Sequence, residues 1–124
     1  EKDGILACLL AAEMVAARRQ TLTEQLEELF LKVGAYYPGR WNVPLTETVK
    51  ASFKERSLRD YSSFEGRKVR EQNRTDGLKL IFEDGSWILF RLSGTEPVCR
   101  LYCEARTPQA LEELATAARN FLFG

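Results

Sequence analysis

Arg91-Leu92-Ser93-Gly94-Thr95-Glu96-Pro97, followed at a short distance by Arg100, is the stretch of this 124-residue chain whose residue types could do chemistry. Strand-like residues flank it, 87–90 before and 98–105 after, so it reads as a loop joining two neighbouring strands. In such a loop the backbone N–H groups have no ladder partners. Gly94 is expected to admit φ > 0 and close backbone approach, which a concave nest of amides needs. Ser93 and Thr95 add hydroxyl donors, and Arg91 and Arg100 add fork-shaped cationic donors suited to bidentate phosphate contact. Together these groups suit capture of a phosphate dianion. By composition alone, Ser-Gly-Thr is also an ordinary turn, and arginines on a sheet are usually solvated. Pro97 restricts Glu96 to extended backbone and stiffens the exit from the turn, or simply ends a strand.

The elements that must position this loop follow from pattern and punctuation. Asp3 is an N-cap for a helix over 4–19, whose apolar residues wrap most of the way round and predict burial on more than one side. Little else in the segment offers it a packing surface, so its partner sheet is expected to lie outside this chain. Thr21 and Glu24 form a capping box for a second helix that ends near Lys32, with Gly34 as its stop. The Tyr-Tyr-Pro-Gly break that follows places a domain boundary, dividing the chain into 1–34 and 35–124.

The second unit is predicted to start with a strand at 40–43 and a helix at 47–56 capped by Thr46. A polar loop over 58–66 leads to strands at 68–73, 78–82, 86–92 and 98–105, with turns at Thr75-Asp76-Gly77 and Glu83-Asp84-Gly85-Ser86. Cys99, Leu101, Cys103 and Ala105 alternate with Arg100, Tyr102 and Glu104, giving one apolar and one polar face. Thr107-Pro108 opens a closing helix to about Phe121. The fold class is α+β: an antiparallel sheet of four to five strands with helices on one face, preceded by two helices.

Composition narrows the function classes. Hydrophobic residues at 44% and charged residues at 29% describe a globular domain. Eighteen basic residues balance 18 acidic ones, so no global field attracts nucleic acid or an anionic membrane, and no exposed aromatic–basic stripe is evident. Neither partner is expected. Histidine is absent, which removes imidazole as base, acid or ligand. The apolar run 5–17 is too short to span a bilayer, is interrupted by Glu13, and lacks a signal-peptide cleavage site. Three cysteines without CxxC spacing argue against a disulfide framework or a zinc site and suit the cytoplasm.

Arg-Leu-Ser-Gly-Thr-Glu-Pro followed by Arg100-Leu101-Tyr102 resembles the phosphate-binding loop in the last domain of the α-D-phosphohexomutases, the phosphoglucomutase/phosphomannomutase family. Glu1-Lys2-Asp3-Gly4 resembles the segment that starts the last helix of the preceding domain in that family. The resemblance implies a chain running from the end of the third domain through the whole fourth, the latter a TATA-binding-protein-like α+β sandwich. It implies an isomerase that moves a phosphoryl group between the C1 and C6 hydroxyls of glucose or mannose phosphate, through a phosphoserine and with Mg²⁺ held outside this segment. Arg91, Ser93, Gly94, Thr95 and Arg100 match the grip on the phosphate that is not transferred. Lys2 matches an active-site lysine, a candidate for proton transfer or phosphate neutralisation; a solvated first-turn lysine is the alternative. The family's phosphoserine, Asp-x-Asp-x-Asp and sugar-reading loops do not occur in the sequence, and Tyr61-Ser62-Ser63-Phe64 has no base beside it to replace the first. The expected activity of the segment is therefore binding, in concert with the remaining domains of one enzyme. A stand-alone phosphosugar- or nucleotide-binding module is the other reading.

Overall fold

The computed structural model describes residues 3–124. They divide into two compact units, one ending at Ala35 and one running Tyr36–Gly124. The first holds α1 (Gly4–Arg18) and α2 (Leu22–Val33). Asp3 Oδ1 accepts from the Leu6 N–H at 2.9 Å, and Thr21 and Glu24 complete the reciprocal capping box. No described residue of α1 is buried within this unit: Ile5, Leu6, Leu9 and Leu10 are exposed, as expected of a helix whose packing surface lies outside the segment. Two helices alone cannot cover a helix that is apolar on most sides.

The second unit comprises β1 (Tyr37–Pro44), α3 (Glu47–Ser57), β2 (Ser63–Phe64), β3 (Arg67–Asn73), β4 (Leu78–Phe82), β5 (Trp87–Leu92), β6 (Val98–Ala105) and α4 (Pro108–Phe123). The strands form one six-stranded sheet in the order β1-β6-β5-β4-β3-β2, every neighbouring pair antiparallel. Two details differ from the pattern-based expectation. First, β1 begins at Tyr37 rather than Arg40. Pro38 has no N–H to give a ladder, but β1 is an edge strand, where that loss is tolerated. Gly39 is needed there because a Cβ would sit 2.2 Å from the Trp41 ring. Second, β2 adds a sixth strand to the four or five expected. It is two residues long, too short to alternate visibly, and its turn uses positive φ at Glu65 (46°) and Gly66 (77°), a primed turn without the usual Asn-Gly signature.

Alternation sorts the sheet into two faces. Cys99, Leu101, Cys103 and Ala105 point inward with Leu78, Leu80, Ile88 and Phe90, and Phe53 of α3 and Leu114, Ala118 and Leu122 of α4 close over them. The other face carries no helix of this unit. There Lys79 lies over the Trp87 ring and Arg40 over Tyr102, at 4.1 and 5.5 Å. The fold thus brings cations and aromatics together from separate strands, where the linear sequence showed no stripe.

All three cysteines are free thiols. Burial pushes Cys99 up to about 11 and Cys103 up to about 12, whereas Cys8 is exposed. Brief alkylation of the native chain at mildly alkaline pH is expected to label Cys8 alone, with the other two reacting only after denaturation. Early modification of Cys103, seen by mass spectrometry, would contradict this core packing.

Candidate phosphate-binding site

β5 and β6 pair so that Arg91 stands directly opposite Arg100. Both belong to the helix-free face, in the row that continues Leu89 opposite Tyr102 and Trp87 opposite Glu104. Directly opposed side chains on one face have Cβ atoms about 4.5–5.5 Å apart, and like charges there oppose folding. The pairing of the two arginines with each other therefore adds nothing to the stability of the sheet.

The hairpin connection is held from several sides. The Ser93 N–H donates to Val98 O at 3.0 Å, closing the ladder. The Val98 N–H donates to Glu96 O at 2.8 Å, a tight turn centred on Pro97. The Leu45 N–H reaches Pro97 O at 2.8 Å and ties the loop to the end of β1. Ser93 is buried, and its Oγ accepts from the Thr95 and Glu96 N–H groups at 3.4 and 3.3 Å. Two amides expected to face an anion thus point at Ser93, though at lengths that mark weak bonds. The Gly94 N–H and the Thr95 hydroxyl have no partner among the described residues.

Gly94 corrects the sequence reading. It does not adopt positive φ, unlike Gly77 and Gly85 in the neighbouring turns. A Cβ built on it would meet nothing within 4 Å. Left-handed backbone therefore does not explain this glycine; open space in front of its Cα is what distinguishes it.

Two carboxylates attend the arginines. Arg91 Nε lies 3.1 Å from Asp76 Oδ1, and Arg100 Nη2 lies 3.6 Å from Glu96 Oε2. Asp76 read in sequence as a turn residue only. Leu78 pairs with Phe90, which sets the β3–β4 turn beside Arg91; successive hairpins of a meander alternate ends, and that rule could have flagged it. Asp76, Thr75, Arg74 and Arg91 line a cleft of about 440 Å³ together with Phe53, Leu58 and Leu78. Arg74 is committed elsewhere, to the carbonyls of Leu58 and Arg59 and to Asp60. Lys2 lies outside the described residues. Among those described, no group of three or more His, Cys, Asp or Glu side chains is placed to hold a metal ion, and no helix is long and apolar enough to cross a membrane.

Fold and site together define an α+β domain with a hairpin loop flanked by two arginines, on the sheet face that its own helices leave free. Residues 42–121 match the family model described as phosphoglucomutase/phosphomannomutase, C-terminal domain. The chain is 36% identical over 120 residues to a probable phosphoglucosamine mutase of Methanothermobacter thermautotrophicus, covering 97% of this chain and 25% of that protein. It is 34% identical over 89 residues to a phosphopentomutase of Thermococcus kodakarensis (72% of this chain, 20% of that one). A phosphoglucomutase/phosphomannomutase of the same organism is 30% identical over 112 residues (90% and 22%). The chain belongs to the phosphoglucomutase/phosphomannomutase family and contains its C-terminal domain. It spans about a quarter of the length of the curated relatives it matches.

Proposed function

We propose that residues 35–124 are the substrate-phosphate grip of a phosphohexomutase, and that 1–34 are the helical tail of its preceding domain. The opposed Arg91–Arg100 pair carries the reading: a like-charge pair held on an open face beside unpartnered donors at Gly94 and Thr95 suits an anion of two charges. The complete enzyme would transfer a phosphoryl group within a hexose phosphate. The relatives named phosphoglucosamine mutases add amino-sugar phosphates to the glucose and mannose phosphates expected from the motif. Mg²⁺, the phosphoserine and the sugar-reading loop would come from the rest of the protein. Lys2 is proposed to neutralise phosphate or move a proton there. A cytoplasmic location suits the three free thiols.

In this reading the chain binds and orients and does not itself transfer. The guanidiniums take phosphate oxygens, the loop donors fix the phosphate's rotation, and the held substrate reacts as if intramolecular. Exposed apolar residues on α1 would be covered by the preceding domain, which a stand-alone module would lack.

Titration of the 124-residue chain with inorganic phosphate, followed by amide NMR, tests the site. Shifts are expected at Ser93, Gly94 and Thr95, without mutase turnover. Gly94→Ala should keep the fold, since its backbone and surroundings admit a Cβ, yet weaken binding by filling the space a phosphate would take. Shifts confined to other regions would remove the loop from consideration.

A further inference from the structure

The two carboxylates beside the arginines have no part in the proposed grip, and they invite a question: do they orient the guanidiniums or compete for them? A carboxylate that orients a partner is normally held in place itself. Asp84, in another turn of the sheet, shows the pattern, accepting from both the N–H and the hydroxyl of Ser86. Asp76 has no such anchor. Among the described residues Arg91 is its one ion-pair partner, its side chain is 64% exposed, and it borders the 440 Å³ cleft into which it can turn. Glu96 is similar, 61% exposed with Arg100 at 3.6 Å. Asp76 also engages Nε of Arg91, one of the two donors of the side-on fork that a phosphate would use.

Resting on the phosphate reading of this loop, we propose that Asp76, seconded by Glu96, is an internal competitor for the phosphate site. It neutralises the Arg91–Arg100 pair, relieving the cross-strand repulsion, and yields Arg91 when a phosphate dianion arrives. Exposed ion pairs of this kind contribute little, so the exchange is cheap and the grip stays reversible. A site that must release product gains from such a competitor.

The test uses the 124-residue chain and inorganic phosphate at fixed ionic strength. Asp76→Asn keeps a residue suited to the turn before Gly77 and removes the charge. It is expected to tighten phosphate binding on the order of two- to fivefold at low salt, with the gain shrinking as salt screens the pair. Glu96→Gln should add a smaller gain. With Arg91→Ala in place, adding Asp76→Asn should no longer change the affinity. If wild type binds at the loop while Asp76→Asn binds equally or more weakly, Asp76 is an orienting group and the competitor role is wrong, the phosphate site itself standing. If neither wild type nor the Asp76→Asn/Glu96→Gln double variant binds phosphate at 93–95, site and competitor fall together.

Discussion

Arg91→Ala is expected to lower affinity for phosphate by roughly 10- to 150-fold, the range that corresponds to one charge-assisted hydrogen-bonding group worth about 1.5–3 kcal/mol. The same substitution should leave the melting temperature close to that of wild type. Arg91 is half-exposed, faces Arg100 across the ladder and pairs with Asp76, so its removal relieves a repulsion of a few tenths to about 1 kcal/mol and forfeits an exposed ion pair of similar size. Loss of binding with retained stability is the mark of a residue kept for function at the fold's expense. Calorimetric titration and thermal denaturation on one sample decide it. A folded variant that binds like wild type would take Arg91 out of the grip. In a complete enzyme, Arg100→Ala should follow the same direction, weakening substrate binding and lowering turnover together.

Phe90→Ala is expected to cost about 3–5 kcal/mol. Phe90 is fully buried one residue before Arg91, with ring centroids of Phe53 and Phe121 both at 5.4 Å and Phe64 at 6.3 Å. Truncation removes the centre of that aromatic cluster, and α3, α4 and the β2 strand each lose a contact at once. Against the roughly 5–15 kcal/mol that holds a typical domain, the loss is large, on the order of 15–30 °C in melting temperature for a domain of this size. Urea unfolding read by Trp fluorescence measures it directly. A cost under about 1 kcal/mol would mean the ring is not packed as described. Since β5 carries both Phe90 and Arg91 on opposite faces, this core residue also aims the site, and phosphate binding should fall with the folded fraction.

Comparison of the two substitutions separates what holds the loop from what the loop holds. Phe90 contributes burial and no chemistry. In the proposed grip Arg91 contributes chemistry and little to folding. The structure shows the distinction in β5, where burial alternates along Trp87–Phe90 and Arg91 follows on the exposed side.

Much of this protein is written locally. Asp3, Thr21 with Glu24, Thr46 and Thr107 each cap the helix expected of them, because a cap involves residues only two or three apart. The two faces of β6 follow from a period of two that needs no partner strand to be read. The donor groups at 91–100 are likewise legible from residue type alone, since donor chemistry belongs to the side chain itself. Only the tertiary structure decided which groups meet. It took β1 across the sheet to pair with β6, set Arg91 and Arg100 in one register, and brought Asp76 from another hairpin to Arg91. It also turned the Ser93 hydroxyl onto its own loop and gave Gly94 an ordinary φ. Those outcomes depend on pairings between strands distant in sequence, and cross-strand register is settled by how the whole core packs rather than by any neighbouring residue.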